Sequence, residues 1–140
     1  MKILSLVFPG FTFIDLAAPI QALMMLPEAK SQVVWQKKGV VASDAGVDVH
    51  ATEDFQSCWK DPDILFVPGN SLGLFKLLQD DRTLDFIADI GSRATWVTSV
   101  CAARCCSVQL VCSRATKPHP TGTRVSSSAC LARYPRMQDM

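Results

Sequence analysis

The sequence has no apolar run long enough to span a bilayer, which excludes a membrane-embedded protein. It lacks a basic surplus: over 140 residues the formal net charge is +1, which argues against a dedicated nucleic-acid binder. Only 19% of residues are charged and 49% are hydrophobic, the opposite of a disordered charged tail. There is no internal repeat and no glycine-rich phosphate motif. The length suits one domain.

Acidic residues are almost missing from one end. Residues 1–89 hold twelve acidic and seven basic residues, whereas residues 90–140 hold seven basic residues and one acidic residue, Asp139. Cysteine divides the same way, with Cys58 alone in the first part and Cys101, Cys105, Cys106, Cys112 and Cys130 in the second. Such crowding does not suit a secreted disulfide framework. The run Ile3–Phe8 imitates a signal peptide, but Pro9-Gly10 ends it early, as for a buried strand. A reducing, cytoplasmic setting is therefore expected.

Periodicity predicts alternating elements. Residues 2–8 read as a strand buried on both faces, and residues 12–26 as a helix interrupted by Pro19. Strands are expected over 32–36, 40–42 and 47–50, with a turn at Asp44-Ala45-Gly46. Asp63–Val67 is a further buried strand ended by Pro68-Gly69-Asn70. Helices follow at 72–79 and 83–90, then a strand over 95–100 that runs into Cys101. This alternation predicts a parallel, doubly wound α/β sheet. Residues 113–140 carry neither period and read as a disordered tail.

In such a sheet, ligands gather beyond the carboxyl ends of the strands. Three strand ends bear suggestive groups: Phe8-Pro9-Gly10 leading to Asp15, then Pro68-Gly69-Asn70, then Cys101. A cysteine where a strand meets a helix N-terminus favours its thiolate and is nucleophilic. Backbone N–H groups of the following Ala102 and of Gly69-Asn70 are placed to stabilise developing negative charge, and Asp15 to move a proton. Each residue also has a plainer reading. Cys101 can be a buried structural thiol, Asp15 a first-turn residue facing the helix dipole, and Pro68-Gly69 only a turn. Cys105, Cys106, Cys112 and His119 match no usual zinc spacing, so no metal is expected. His50 reads as a surface residue, and Trp35, Trp59 and Trp96 as core or rim.

The combination is more specific than its parts. Leu6-Val7-Phe8-Pro9-Gly10-Phe11-Thr12 with Asp15-Leu16 and Pro19, then Asp63–Gly69, then Ala94–Cys101, occur in order. Together they resemble the isonitrile hydratase-like members of the PfpI family, in the class I glutamine amidotransferase-like superfamily. The resemblance covers residues 1–101. It implies a flavodoxin-like α/β domain, usually homodimeric, with Cys101 as nucleophile and Asp15 as its acid/base partner. The backbone of Gly69, Asn70 and Ala102 would line the oxyanion site, with no cofactor. The implied activity hydrates a small-molecule isonitrile to an N-substituted formamide. A non-catalytic sensing or regulatory module of the same fold, or an inactive remnant, is the alternative.

The sequence departs from the family pattern at three places. Asn70 stands where the family has a second glycine, and Asn is among the residues that tolerate positive φ. Ala102-Ala103 replaces a small polar residue and glycine. Beyond them the family's glycine- and leucine-rich helix is missing. Permitted codons for Cys101 onward, read from two bases past the Cys101 codon, spell Gly-Ala-Leu-Leu-Leu-Gly. A change of frame would thus account together for the cysteine burst, the lost acidic residues and the lost periodicity. The expectation is an incomplete PfpI-type domain over 1–112, truncated after the nucleophile strand, and an out-of-frame tail over 113–140.

Overall fold

A computed structural model describes residues 1–70, 73, 76–101 and 103. The expected tail over 113–140 lies outside the described residues, and so does the last part of the expected domain.

The central strand is β1 (Lys2–Leu6), whose Ile3, Leu4, Ser5 and Leu6 are all buried. A strand covered on both faces shows no alternation, which is why its sequence reads as one apolar run. β1 is followed by α1 (Phe13–Leu23), then β2 (Lys30–Trp35), β3 (Gly39–Ala42), β4 (Asp48–Ala51) and β5 (Glu53–Asp54). β6 (Ile64–Val67), α2 (Asp81–Arg93) and β7 (Trp96–Ser99) complete the described elements. Five strands form one parallel sheet in the order β5-β2-β1-β6-β7. Leu4 pairs with Gln32 on one side and Leu65 on the other, and Leu65 pairs in turn with Val97. β3 and β4 make a separate antiparallel hairpin, with Val41 opposite Val49.

The chain steps from β1 to β2 in one direction and reaches β6 and β7 in the other. Right-handed crossovers then put α1 and α2 on opposite faces of the sheet, which makes the fold doubly wound. The strand order reverses between β1 and β6, so the crevice at their carboxyl ends is the topological switch point.

α1 ends at Leu23, three residues short of the expected boundary. Met24, Met25 and Leu26 close in turns on Ile20, Ala22 and Leu23, because Pro27 bars its predecessor from continuing the helix. Pro19 is accommodated inside α1. It carries no N–H, so the Asp15 carbonyl four residues earlier is released from the helical ladder. α2 runs through the predicted 83–90 and buries Thr83, Leu84, Ile87 and Ile90 at helical spacing. Phe86 on α2 stacks on Phe55, and Trp35 meets Phe55 edge-on. At the start of α2 the Thr83 hydroxyl donates to Asp80, which also takes Gln36 Nε2 and so ties the helix to the end of β2. The helix expected over 72–79 lies partly outside the described residues; Gly73, Lys76 and Leu77 are helical. β5 was not foreseen, because two acidic residues show no hydrophobic period and pair only through Val34 and Trp35.

Leu65 is fully buried at the centre of the sheet. Leu65→Ala is expected to lower the unfolding free energy by about 2–5 kcal/mol in a denaturant titration. A loss below about 1 kcal/mol would remove Leu65 from the core.

Candidate functional site

The three strand ends that the sequence singled out come together at the switch point. β1 leads through Phe8-Pro9-Gly10 into α1. Gly10 takes the turn at φ +79°, Phe11 N–H donates to Phe8 O at 3.0 Å, and Gly10 N–H donates to Ala42 O at 2.8 Å. β6 leads into the buried Pro68-Gly69, whose Gly69 carbonyl accepts the Thr12 N–H at 2.9 Å. β7 continues to Val100, whose N–H reaches Val67 O at 3.4 Å, and then to Cys101.

Cys101 is the sharpest feature. It sits in the left-handed region at φ +55°, and only Glu28 joins it there among the described non-glycine residues. A cysteine held in that region costs of order 1–3 kcal/mol and persists only where the surroundings over-determine it. The residue is solvent-exposed, so the plainer expectation of a buried structural thiol does not describe it. Cys58 is the contrast: it is buried with its Sγ facing the Phe55 carbonyl at 3.9 Å, and burial pushes its thiol up from the ordinary range.

Asp15 lies in the first turn of α1. Its Oδ2 is buried without a hydrogen-bond partner. A carboxylate oxygen withdrawn from water and left unpaired is costly, and such an atom calls for a functional account. Gly69 shows where it is directed. A Cβ placed on Gly69 would overlap Cys101 Cβ, lie 2.7 Å from Asp15 Oδ2 and 3.0 Å from Val100 O. The hydrogen of Gly69 therefore occupies the space between the end of β7 and the first turn of α1. Asp15, Gly69 and Cys101 form one site.

Beyond the backbone part expected of it, Asn70 also bonds through its side chain. Its φ is not positive, so tolerance of the left-handed region is not what keeps it in the family's glycine position. Its Oδ1 accepts the Gly73 N–H at 2.7 Å, capping the chain as it turns helical. Its Nδ2 points to Asp44 Oδ2 at 3.4 Å and Thr12 Oγ1 at 3.5 Å. Ala102 lies outside the described residues.

Sequence reading missed Asp44 and Thr12. Asp44 was placed in a turn and nothing more, yet its carboxylate accepts the Thr12 hydroxyl at 2.7 Å and the Phe13 N–H at 3.1 Å. Those two bonds, with the Asn70 amide, hold its carboxyl below the usual carboxylate range. Thr12, the residue before α1, makes no side-chain cap bond of its own. The only sequence signal was an Asp opening a turn, because the partners lie about thirty residues away.

A cleft of about 180 Å³ opens beside the site, lined by Phe8, Pro9, Trp35, Gly73, Lys76, Leu77 and Asp80. Neither Asp15 nor Cys101 lines it. Among the described residues no three His, Cys, Asp or Glu side chains stand together in metal-binding range. No helix among them is long and apolar enough to cross a membrane. His50 is exposed, as its strand position predicted.

Comparison with known proteins gives the site a context. The model of the DJ-1/PfpI family matches residues 1–116. Isonitrile hydratase of Pseudomonas putida is 36% identical over 103 residues, which cover 72% of this chain and 43% of that protein. A crystal structure of a ThiJ/PfpI family protein from Pseudomonas syringae superposes with a TM-score of 0.70 at 40% identity, over 72% of this chain and 42% of that one. A two-domain protein from Anabaena variabilis, with DJ-1/ThiJ/PfpI-like and ferritin-like domains, shares the fold alone. Its TM-score is 0.64 at 14% identity, over 81% of this chain and 32% of that one. The chain thus spans less than half the length of the curated relative it matches.

Two outcomes follow from the geometry. Gly69→Ala drives a methyl group into Cys101 and Asp15, and is expected to slow alkylation of Cys101 by about tenfold or more. Peptide mass spectrometry after timed iodoacetamide treatment checks this, and an unchanged rate would contradict the packing. The second concerns acid. Asp44, Glu53 and Asp54 all have lowered folded-state values. Their stabilisation is present above their unfolded values and is lost as pH falls through the folded ones. The thermal midpoint is therefore expected to drop below about pH 4, and less steeply in Asp44→Asn.

Proposed function

The chain belongs to the DJ-1/PfpI family, and on that premise we propose that it carries an isonitrile hydratase-type site in which Cys101 is the nucleophile and Asp15 the acid/base. One observation carries the reading: an exposed cysteine at positive φ shares the empty side of Gly69 with an unpaired, buried carboxylate oxygen. The likeness to isonitrile hydratase supports the choice of substrate.

The substrate is a small neutral isonitrile, R–N≡C. The Cys101 thiolate adds to the terminal carbon, forming a C–S bond, and the carbon takes a proton from the Asp15 carboxyl group. The product of that step is a thioformimidate, R–N=CH–S–Cys101. Water then adds to the same carbon while the nitrogen gains a proton. Collapse breaks the C–S bond with its electron pair going to sulfur, and the hydroxyl proton restores Asp15. R–NH–CHO leaves, one water has been consumed, and nothing is oxidised or reduced. Negative charge that develops during addition falls to the backbone N–H groups of Asn70 and Ala102. We place the reaction in the cytoplasm, where the free thiols of Cys58 and Cys101 stay reduced.

The test is formamide production from a simple alkyl isonitrile, followed by mass spectrometry. Cys101→Ser is expected to abolish it, and Asp15→Asn to slow it by about a hundredfold or more. Turnover that persists in Cys101→Ser would overturn the reading.

A further inference from the structure

We propose that Asp44, on the turn between β3 and β4, is a positioning residue that fixes the first turn of α1 and thereby aims the Asp15 carboxyl group at Cys101. This rests on the pairing of Asp15 with Cys101 proposed above, and not on the isonitrile substrate.

Asp15 is not held by its own side chain, because its Oδ2 has no partner. Its place is set by how the first turn of α1 is oriented. In a helix each residue turns the side-chain direction by about 100°, so a small rotation or fraying of this turn carries the carboxyl group away from Gly69. The turn is gripped from outside. Asp44 Oδ1 accepts the Phe13 N–H, and Asp44 Oδ2 accepts the Thr12 hydroxyl and faces the Asn70 amide at 3.4 Å. Two backbone bonds anchor the gripping segment itself: Asp44 N–H to Phe11 O at 2.9 Å, and Gly10 N–H to Ala42 O at 2.8 Å. Thr12 N–H completes the circuit at Gly69 O.

The arrangement is a helix cap supplied by a different element. A carboxylate there also meets the positive end of the α1 dipole. The same group reaches the Asn70 loop, so the acid-bearing helix and the segment bearing Gly69 are referenced to one carboxylate. The Thr12 N–H bond to Gly69 O ties the start of the helix to that loop at one point, and Asp44 adds a second tie through the Asn70 amide.

The experiment measures Cys101 alkylation by iodoacetamide against pH in the full chain, with Cys101 resolved from the other cysteines by peptide mass spectrometry. Wild type is compared with Asp15→Asn, Asp44→Ala, Asp44→Asn and the Asp15→Asn/Asp44→Ala double variant. Asp44→Ala is expected to displace the rate–pH profile in the same direction as Asp15→Asn, with a rate change of about tenfold at neutral pH. The double variant should change no further, because the two residues act through one carboxyl group. Asp44→Asn keeps an acceptor for Phe13 but sets an amide against the Asn70 amide, and should fall between; it carries the comparison if Asp44→Ala does not fold.

An unchanged Cys101 profile alongside a lowered thermal midpoint would reduce Asp44 to fold support and overturn the proposal. Effects that add in the double variant would overturn it too, as would an Asp15→Asn profile identical to wild type. Absence of formamide with the coupled profiles intact would remove the substrate reading and leave the assignment of Asp44 standing.

Discussion

A hydrogen atom where every other residue has a methyl group or more is the constraint on which this site depends. Gly69 ends the strand beside the switch point, and the space over its Cα is shared by the Cys101 side chain and the Asp15 carboxylate. Three segments far apart in sequence reach it by different routes. β7 delivers the cysteine through a left-handed turn, α1 delivers the acid in its first turn, and β6 delivers the gap between them. The parallel sheet brings these strand ends together because all of its strands point the same way. Side-chain chemistry is then added to an arrangement that the backbone has already made.

The sheet itself explains how so few elements can hold such a site. β1, β6 and β7 are neighbours in register, and the buried apolar runs of β1 and β6 fix that register on both faces. The β3–β4 hairpin stands outside this sheet, yet it returns to the site through Asp44 and the bridge between Phe11 and Ser43. A hairpin that would otherwise be ornament becomes a brace for the loop that opens α1.

Much of this was legible before the structure. Apolar runs at Ile3–Phe8, broken only by Ser5, and at Ile64–Val67 marked strands buried on both faces, and Pro-Gly after each marked where the chain leaves the sheet. The triplet Asp15, Gly69 and Cys101 was legible because each lies at a strand end or the helix after it, so topology alone gathers them. What escaped was contact without local pattern. Asp44 caps a helix thirty residues away, and no periodicity records a side chain crossing from one loop to another. Asn70 was read through its backbone tolerance, whereas its amide side chain makes the decisive bonds. β5 was too short and too acidic to carry any period.

The left-handed backbone at Cys101 has a consequence for the chain as a chemical population. Unfolded, the polypeptide carries six cysteines that differ only in their sequence neighbours. Folding sorts two of them in opposite directions: the core withdraws Cys58 from water, and the turn after β7 lifts Cys101 out to solvent. The distinctness of Cys101 is therefore a property of the assembled sheet and not of its sequence neighbourhood. Whenever β7 separates from β6 the surroundings that hold this turn are lost, and that thiol becomes one among its equals.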